Sequence, residues 1–334
     1  MAESLITASV LPAYAELHAL SNFSFQRGAS HAEELIARAH ALGYSALAIT
    51  DECSMAGVVR AHVEAKRLGL KLLIGTELRI NTSEDGDDHF TLVLLARSRA
   101  GYGQLCELIT RARAQPDGKR QRRYRLDQTH WHELGFDSRD VALLVPRRDG
   151  LRPEEPQFAE QLSKRLHWLR EHFPQRGWIA VELLHRLDDD LWLEQLRLAG
   201  ERCSVPLVAA GNVHMHVRSR KPLQDVMTAI RMGQPVSECG FELQPNAEAH
   251  LRSRQRLADL LLLAQRQVAR KRRLGLGVKV VVQPRQHALR NAHQLVGVVV
   301  GEVDVVGDAR GQARVAAKEG AHAVAITGQD HHQV

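Results

Sequence analysis

The sequence contains no C-x-x-C pair: its four cysteines, Cys53, Cys106, Cys203 and Cys239, stand far apart. That spacing argues against a disulfide framework and against a zinc ribbon, and points to reduced thiols. No apolar run approaches the roughly 20 residues needed to cross a bilayer. Met1-Ala2-Glu3-Ser4-Leu5 puts no basic residue ahead of its apolar ones, so a cleaved export signal is not expected and a cytoplasmic location is. Aromatics make up only 4% of the chain, and none follows Phe241. Large rings supply much of a core's buried area, so residues 251–334 are a poor candidate for an independent domain.

What is present is ordinary globular composition, 44% hydrophobic and 25% charged in 334 residues. The net charge of +6 is unevenly placed. Residues 251–334 hold 14 Lys/Arg against 6 Asp/Glu, whereas residues 1–250 are close to balanced, with 31 against 33. The basic character therefore belongs to the tail.

Seven β-rich runs stand out: Ala15–Leu20, Ala46–Thr50, Lys71–Leu78, Phe90–Ala96, Val141–Pro146, Trp178–Leu184 and Pro206–Val213. Each is followed by a segment with helical potential. Ser30, with Glu33 three residues on, is the expected N-cap of the first helix, which carries Leu35, Ala39 and Leu42. Val58, Val59, Val63 and Leu68 mark a second, and Leu162, Leu166, Leu169 and Phe173 a later one. The strands are almost continuously apolar, as in a sheet covered on both faces. Alternation of strand and helix over about 240 residues predicts a parallel β/α barrel, with an open doubly wound sheet as the alternative.

In a β/α barrel, chemistry collects where strands end. His18 lies near the end of the first run, Asp51 and Glu52 after the second, Glu77 late in the third, and His89 just before the fourth. Glu182 and His185 end the sixth, and Asn212, His214 and His216 the seventh. Imidazoles and carboxylates converging on one mouth suit zinc, manganese or iron, which could activate water for phosphoester hydrolysis. Hydrogen-bonded caps are the competing explanation. Lys119, Arg120, Arg122 and Arg123, in a polar turn-rich stretch, form a candidate nucleic-acid contact through phosphate charge.

Several longer segments, "ELHALSNFSFQRGAS" (Glu16–Ser30), "ALAITDECSMAGVVRAH" (Ala46–His62), "LKLLIGTEL" (Leu70–Leu78), "HFTLVLLARSRAGYGQLCELIT" (His89–Thr110), "ALLVP" (Ala142–Pro146) and "PLVAAGNVHMHVRSRKPLQDVMTAIRMGQPV" (Pro206–Val236), carry a resemblance. Together they resemble the PHP (polymerase and histidinol phosphatase) domain of bacterial C-family DNA polymerases, closest to the error-prone, translesion branch. The resemblance implies an α/β fold, a distorted seven-stranded β/α barrel over residues 14–250, preceded by a lead-in at 1–13. It implies DNA as a partner, together with a processivity clamp and a mutagenesis-complex adaptor. It also implies DNA-directed DNA synthesis with magnesium in the full-length family, and up to three metals in PHP members with an active site. Against that pattern His18, Glu77, His89 and His214 remain, but Leu20 stands for a second histidine, Arg27 for an acidic ligand, Glu52 for a histidine and Asn212 for an aspartate. The expectation is a degraded site with no cofactor, in which Arg27 pairs with Glu52 or Glu77.

After about Ala258 the resemblance ends. Palm, thumb and fingers sequences are not found, so a piece truncated before the palm is expected, with residues 251–334 an out-of-frame or poorly ordered tail. Glu302 and Asp304 in "GEVDVVGD" have no polymerase motif around them, and "GLGVK" lacks P-loop spacing. A metal-dependent phosphoesterase and a non-catalytic nucleic-acid-binding module are the alternative functions.

Overall fold

A computed structural model of the chain describes residues 11, 13–82, 89–114, 124, 126–128, 131–132, 141–145 and 156–260, together with two short strands in the tail. Seven strands form one sheet in the order β1-β2-β3-β4-β5-β6-β7, with β1 Ala15–Glu16, β2 Ala46–Ile49, β3 Lys71–Asn81, β4 His89–Leu95, β5 Val141–Val145, β6 Gly177–Val181 and β7 Leu207–Ala209. The helices are α1 Ala32–Ala41, α2 Val58–Leu68, α3 Arg99–Ala114, α4 Pro156–His172, α5 Asp189–Cys203 and α6 Lys221–Met232.

Each of the seven predicted runs overlaps a strand, but the sheet is not all parallel. β4 is antiparallel to both β3 and β5, while β1-β2-β3 and β5-β6-β7 are parallel. The reason lies in the connection from Asn81 to His89, which pair across the β3–β4 ladder. So short a link closes a hairpin, whereas a parallel crossover needs a dozen or more residues.

The sheet is curled. One buried cluster draws Ala15 and Leu17, Ala46 and Ala48, Leu73, Val93 and Leu95, Val145, Ala180, and Val208 and Ala210 from all seven strands and the residues that follow them. These are alternate positions, so they share one face. Alanine at β1, β2 and β6 suits the tight inner side of a curve. The outer face is covered twice: α1 and α2 pack through Leu35, Ile36, Ala61 and Ala65 on Leu47 and Ile49. Leu105, Leu162, Leu166 and Leu196 of α3, α4 and α5 cover Phe90, Leu92, Leu94 and Ile179. Just beyond β1 and β7, Ala19 and Val213 form a parallel bridge, with Leu20 N–H donating to Val213 O (2.8 Å) and Val213 N–H to His18 O (2.9 Å).

Two local expectations are corrected. The first helix starts one residue late: His31 is its N-cap and His31 N–H donates to Glu34 Oε2 (2.9 Å), because the buried Ser30 hydroxyl is committed to the backbone N–H and ring of His216. On α2 the buried face is Val58, Ala61 and Ala65, and Val59 and Val63 point to solvent.

Packing continues past residue 250. Leu251 and Leu257 join the α1–α2 core, and buried Arg252 donates to Leu183 O (2.7 Å) while its own carbonyl accepts from Tyr44 Oη (2.7 Å). In the tail, β8 Val305–Gly307 and β9 Ala313–Val315 pair antiparallel. No described helix is long and apolar enough to cross a membrane.

Candidate functional site: an ion-paired mouth

Asp51 and Glu52 lie on the chain leaving β2, and a bridge sets Glu52 directly beside Glu77 on β3. Adjacent carboxylates repel and need a cation between them. That cation is Arg27. Its Nη1 donates to Glu52 Oε2 (2.8 Å) and to Glu77 Oε1, and its Nη2 reaches Glu77 Oε2 (3.3 Å). The ion pair expected with one carboxylate or the other thus forms with both.

Arg27 is held in place by the loop that bears it. Asp51 Oδ1 accepts from Ser21 N–H and Ser24 Oγ, and Oδ2 from Ser21 Oγ, each at 2.7 Å. Ser24 Oγ also accepts from Glu52 N–H (2.9 Å), tying the loop to the carboxylate its arginine serves. Gly28 closes the turn under the loop. A Cβ there would lie 2.0 Å from Ser21 O, so no larger residue fits. Burial pushes the Asp51 carboxyl upward, against the pull of the serine hydrogen bonds. Its acceptor positions are taken up in holding the loop.

His18 sits on the other side of Glu77. Its Nε2 meets Glu77 Oε2 and its Nδ1 meets Glu182 Oε1, both at 2.7 Å and almost fully buried. Burial alone would lower the imidazole pKa, but the Glu182 and Glu77 carboxylates overcome it and lift it to about 10. The ring is therefore an imidazolium donating from both nitrogens. Burial likewise works to raise the Glu77 pKa, yet Arg27 and His18 hold it well below the usual carboxylate range. The result is a chain of alternating charge, Glu182, His18, Glu77, Arg27 and Glu52, capped where Tyr124 Oη donates to Glu52 Oε1 (3.3 Å).

His214 is nearby but uncharged. Burial, and secondarily the positive charge of Arg27, depress its pKa to about 3. Its Nε2–H donates to Asn212 Oδ1 (2.8 Å), and its Nδ1 accepts from Gln224 Nε2 on α6 (2.8 Å). Asn212 occupies the left-handed region at φ 45°, which asparagine tolerates better than most side chains.

His89 does not join this group. It faces Asn81 at the far end of the β3–β4 ladder, four positions along β3 from Glu77, and its Nδ1 accepts from Arg79 Nη2 (2.9 Å). The antiparallel turn at β4 puts it there. Lys119, Arg120, Arg122 and Arg123 lie outside the described residues.

The donor set does not fit a metal cluster. A ligating histidine must turn a ring nitrogen toward the ion, and both ring nitrogens of His18 are instead taken by carboxylate oxygens at 2.7 Å. Both ring nitrogens of His214 are engaged, Leu20 is a buried hydrocarbon, and a guanidinium stands between the Glu52 and Glu77 carboxylates. Among the described residues no group of three or more His, Cys, Asp or Glu is arranged to hold an ion. Three partners in the network, Ser21, Ser24 and Gln224, carry no signal in the sequence, because each acts through a neighbour that folding alone supplies.

Residues 16–183 match the PHP domain family. The chain belongs to that family. Beyond the PHP match, the error-prone DNA polymerase of Methylococcus capsulatus is 50% identical over 247 residues, covering 74% of this chain and 22% of that protein. The corresponding protein of Dechloromonas aromatica is 49% identical over 250 residues, 75% of this chain and 23% of its own length. The chain thus spans under a quarter of these relatives. Among solved structures, a Bifidobacterium adolescentis chain described as a metal-dependent phosphoesterase aligns with a TM-score of 0.40 at 14% identity, over 61% of this PHP chain and 89% of its own.

Proposed function

We propose that this chain supplies the PHP segment of an error-prone DNA polymerase of the translesion type, and that its barrel mouth is a metal-free scaffold. The observation that carries the reading is the Arg27 guanidinium bridging Glu52 and Glu77. A protonated His18 between Glu77 and Glu182 completes it. Fixed cations here do the electrostatic work that metal ions would do in a phosphoesterase, neutralising carboxylates without activating water. The Ala19–Val213 bridge and the seven-strand inner cluster favour reading the sheet as a distorted seven-stranded barrel.

In this reading residues 14–250, together with the packed segment that follows them through Leu257, form the PHP unit, DNA is the substrate of the polymerase it serves, and the processivity clamp and mutagenesis adaptor bind elsewhere in that enzyme, in the cytoplasm. Elemental analysis of the purified chain, paired with hydrolysis of p-nitrophenyl phosphate, tests the scaffold. Substoichiometric zinc, manganese and iron with no turnover are expected. Stoichiometric metal and a phosphatase activity abolished by His18→Ala or His214→Ala would restore the phosphoesterase alternative.

A further inference from the structure

Helix α6 is amphipathic in the wrong sense for a solvent-facing helix. The face it turns to the protein consists of Gln224, Thr228 and Ala229, and Gln224 spends its amide on His214. Leu223, Val226 and Ile230, spaced three and four residues apart along one stripe, face outward with 41%, 46% and 62% exposure. Met232 at the last position of the helix and Val236 just past it are exposed as well, and Phe241 is fully exposed. By contrast α1 and α3 bury their leucines and isoleucines in the ordinary way.

The helix is nonetheless firmly placed. Arg220 at its N-cap bonds Glu34 of α1, Lys221 pairs with Asp225, and Gly233 ends it in the left-handed conformation. A well-anchored helix whose largest apolar side chains point away from its own core is a helix with a second partner. The stripe offers hydrocarbon where a phosphate backbone would need cations, so that partner is protein.

The relatives narrow it further. They are 46–50% identical to this chain, which spans only 22–24% of them, so each carries this fold within a polypeptide over four times its length. Domain interfaces within one chain resemble protein–protein interfaces, whose buried centres are apolar.

We propose that the outward face of α6, centred on Leu223, Val226 and Ile230, is the surface on which the polymerase region of an error-prone DNA polymerase docks. This rests on the reading that the chain is the PHP segment of such an enzyme. Gln224 makes α6 the link between that interface and the mouth, since one side of the helix holds His214 while the other meets the partner.

A chimera tests it: the matched residues of this chain replace their 247-residue counterpart in the Methylococcus capsulatus polymerase, and Ile230→Cys is introduced both there and in the isolated full chain. Maleimide labelling of that position, followed by mass spectrometry, is expected to be fast in the isolated chain. In the chimera it should be slower by about tenfold or more, as for a buried interface residue. Leu223→Glu with Val226→Glu should leave the melting temperature of the isolated chain unchanged and restore fast labelling in the chimera. Equal labelling in chimera and isolated chain overturns the docking surface. Labelling of the isolated chain that slows as its concentration rises also overturns it, in favour of a second copy of the chain. If the unsubstituted chimera lacks the primer extension that the unaltered relative has, the reading beneath it fails instead.

Discussion

Replacing Arg27 with alanine isolates the interaction on which the mouth depends. The substitution leaves Glu77, almost fully buried, with His18 as its remaining ionic partner, and leaves Glu52 beside it with none of the guanidinium's charge. Removing one member of a fully buried pair costs about 3–5 kcal/mol. Two features reduce that figure here: the Arg27 side chain is 23% exposed, and His18 still compensates half of the Glu77 charge. The Glu52 arm, 31% exposed, adds no more than about 1 kcal/mol. A net loss of about 2–3 kcal/mol follows, which for a domain of this size lowers the melting temperature by about 5–10 °C. Thermal unfolding followed by circular dichroism reads this directly. In a Glu77→Gln background, where no buried charge is orphaned, the same substitution should cost about 1 kcal/mol or less. Zinc or manganese should not rescue the single variant, because His18 remains an imidazolium. A fall below about 1 °C, or recovery of the melting temperature on adding either metal, would refute the argument.

The two histidines predict opposite pH limbs. The folded pKa of His18 is raised from 6.5 to about 10, so its contribution is complete below pH 6.5 and is lost as pH climbs toward 10. His214 is depressed to about 3, so its contribution is present above pH 6.5 and is lost as pH falls toward 3. In urea unfolding measured across pH, His18→Gln should flatten the alkaline limb and His214→Gln the acid one; a variant that leaves its own limb unchanged contradicts the assignment. Gly28→Ala forces a Cβ against Ser21 O and should destabilise the fold by about 1–3 kcal/mol in the same assay, whereas an unchanged midpoint would mean the Arg27 loop is not held there. Restoring donors with Leu20→His, Arg27→Glu, Glu52→His and Asn212→Asp together should create zinc binding measurable by titration calorimetry. Absence of binding would show that the mouth has lost more than its ligands.

Legibility in the sequence followed the range of the interaction. Leu20, Arg27 and Asn212 stand out only against the PHP-family pattern that the sequence resembles; once they are marked, their identity gives their chemistry, since hydrocarbon gives no lone pair and a guanidinium near carboxylates pairs with them. His89 could not be placed, because its position depends on β4 running antiparallel, a property of a short connection and not of the strand itself. Ser21, Ser24 and Gln224 were invisible for a related reason. Their roles are second-hand, fixing Asp51, Glu52 and His214 across 10 to 30 positions of chain.

The sequence by itself determined the seven β-rich runs, the helices between most of them, and the chemical character of the mouth, since these depend on periodicity and on side-chain type. Tertiary structure alone decided the double engagement of Arg27, the placement of His18 between two buried carboxylates and the outward turn of the apolar face of α6. Each of those depends on which distant groups share a low-dielectric space, and the strength of a charge or the burial of a methyl group is set by its neighbours in three dimensions.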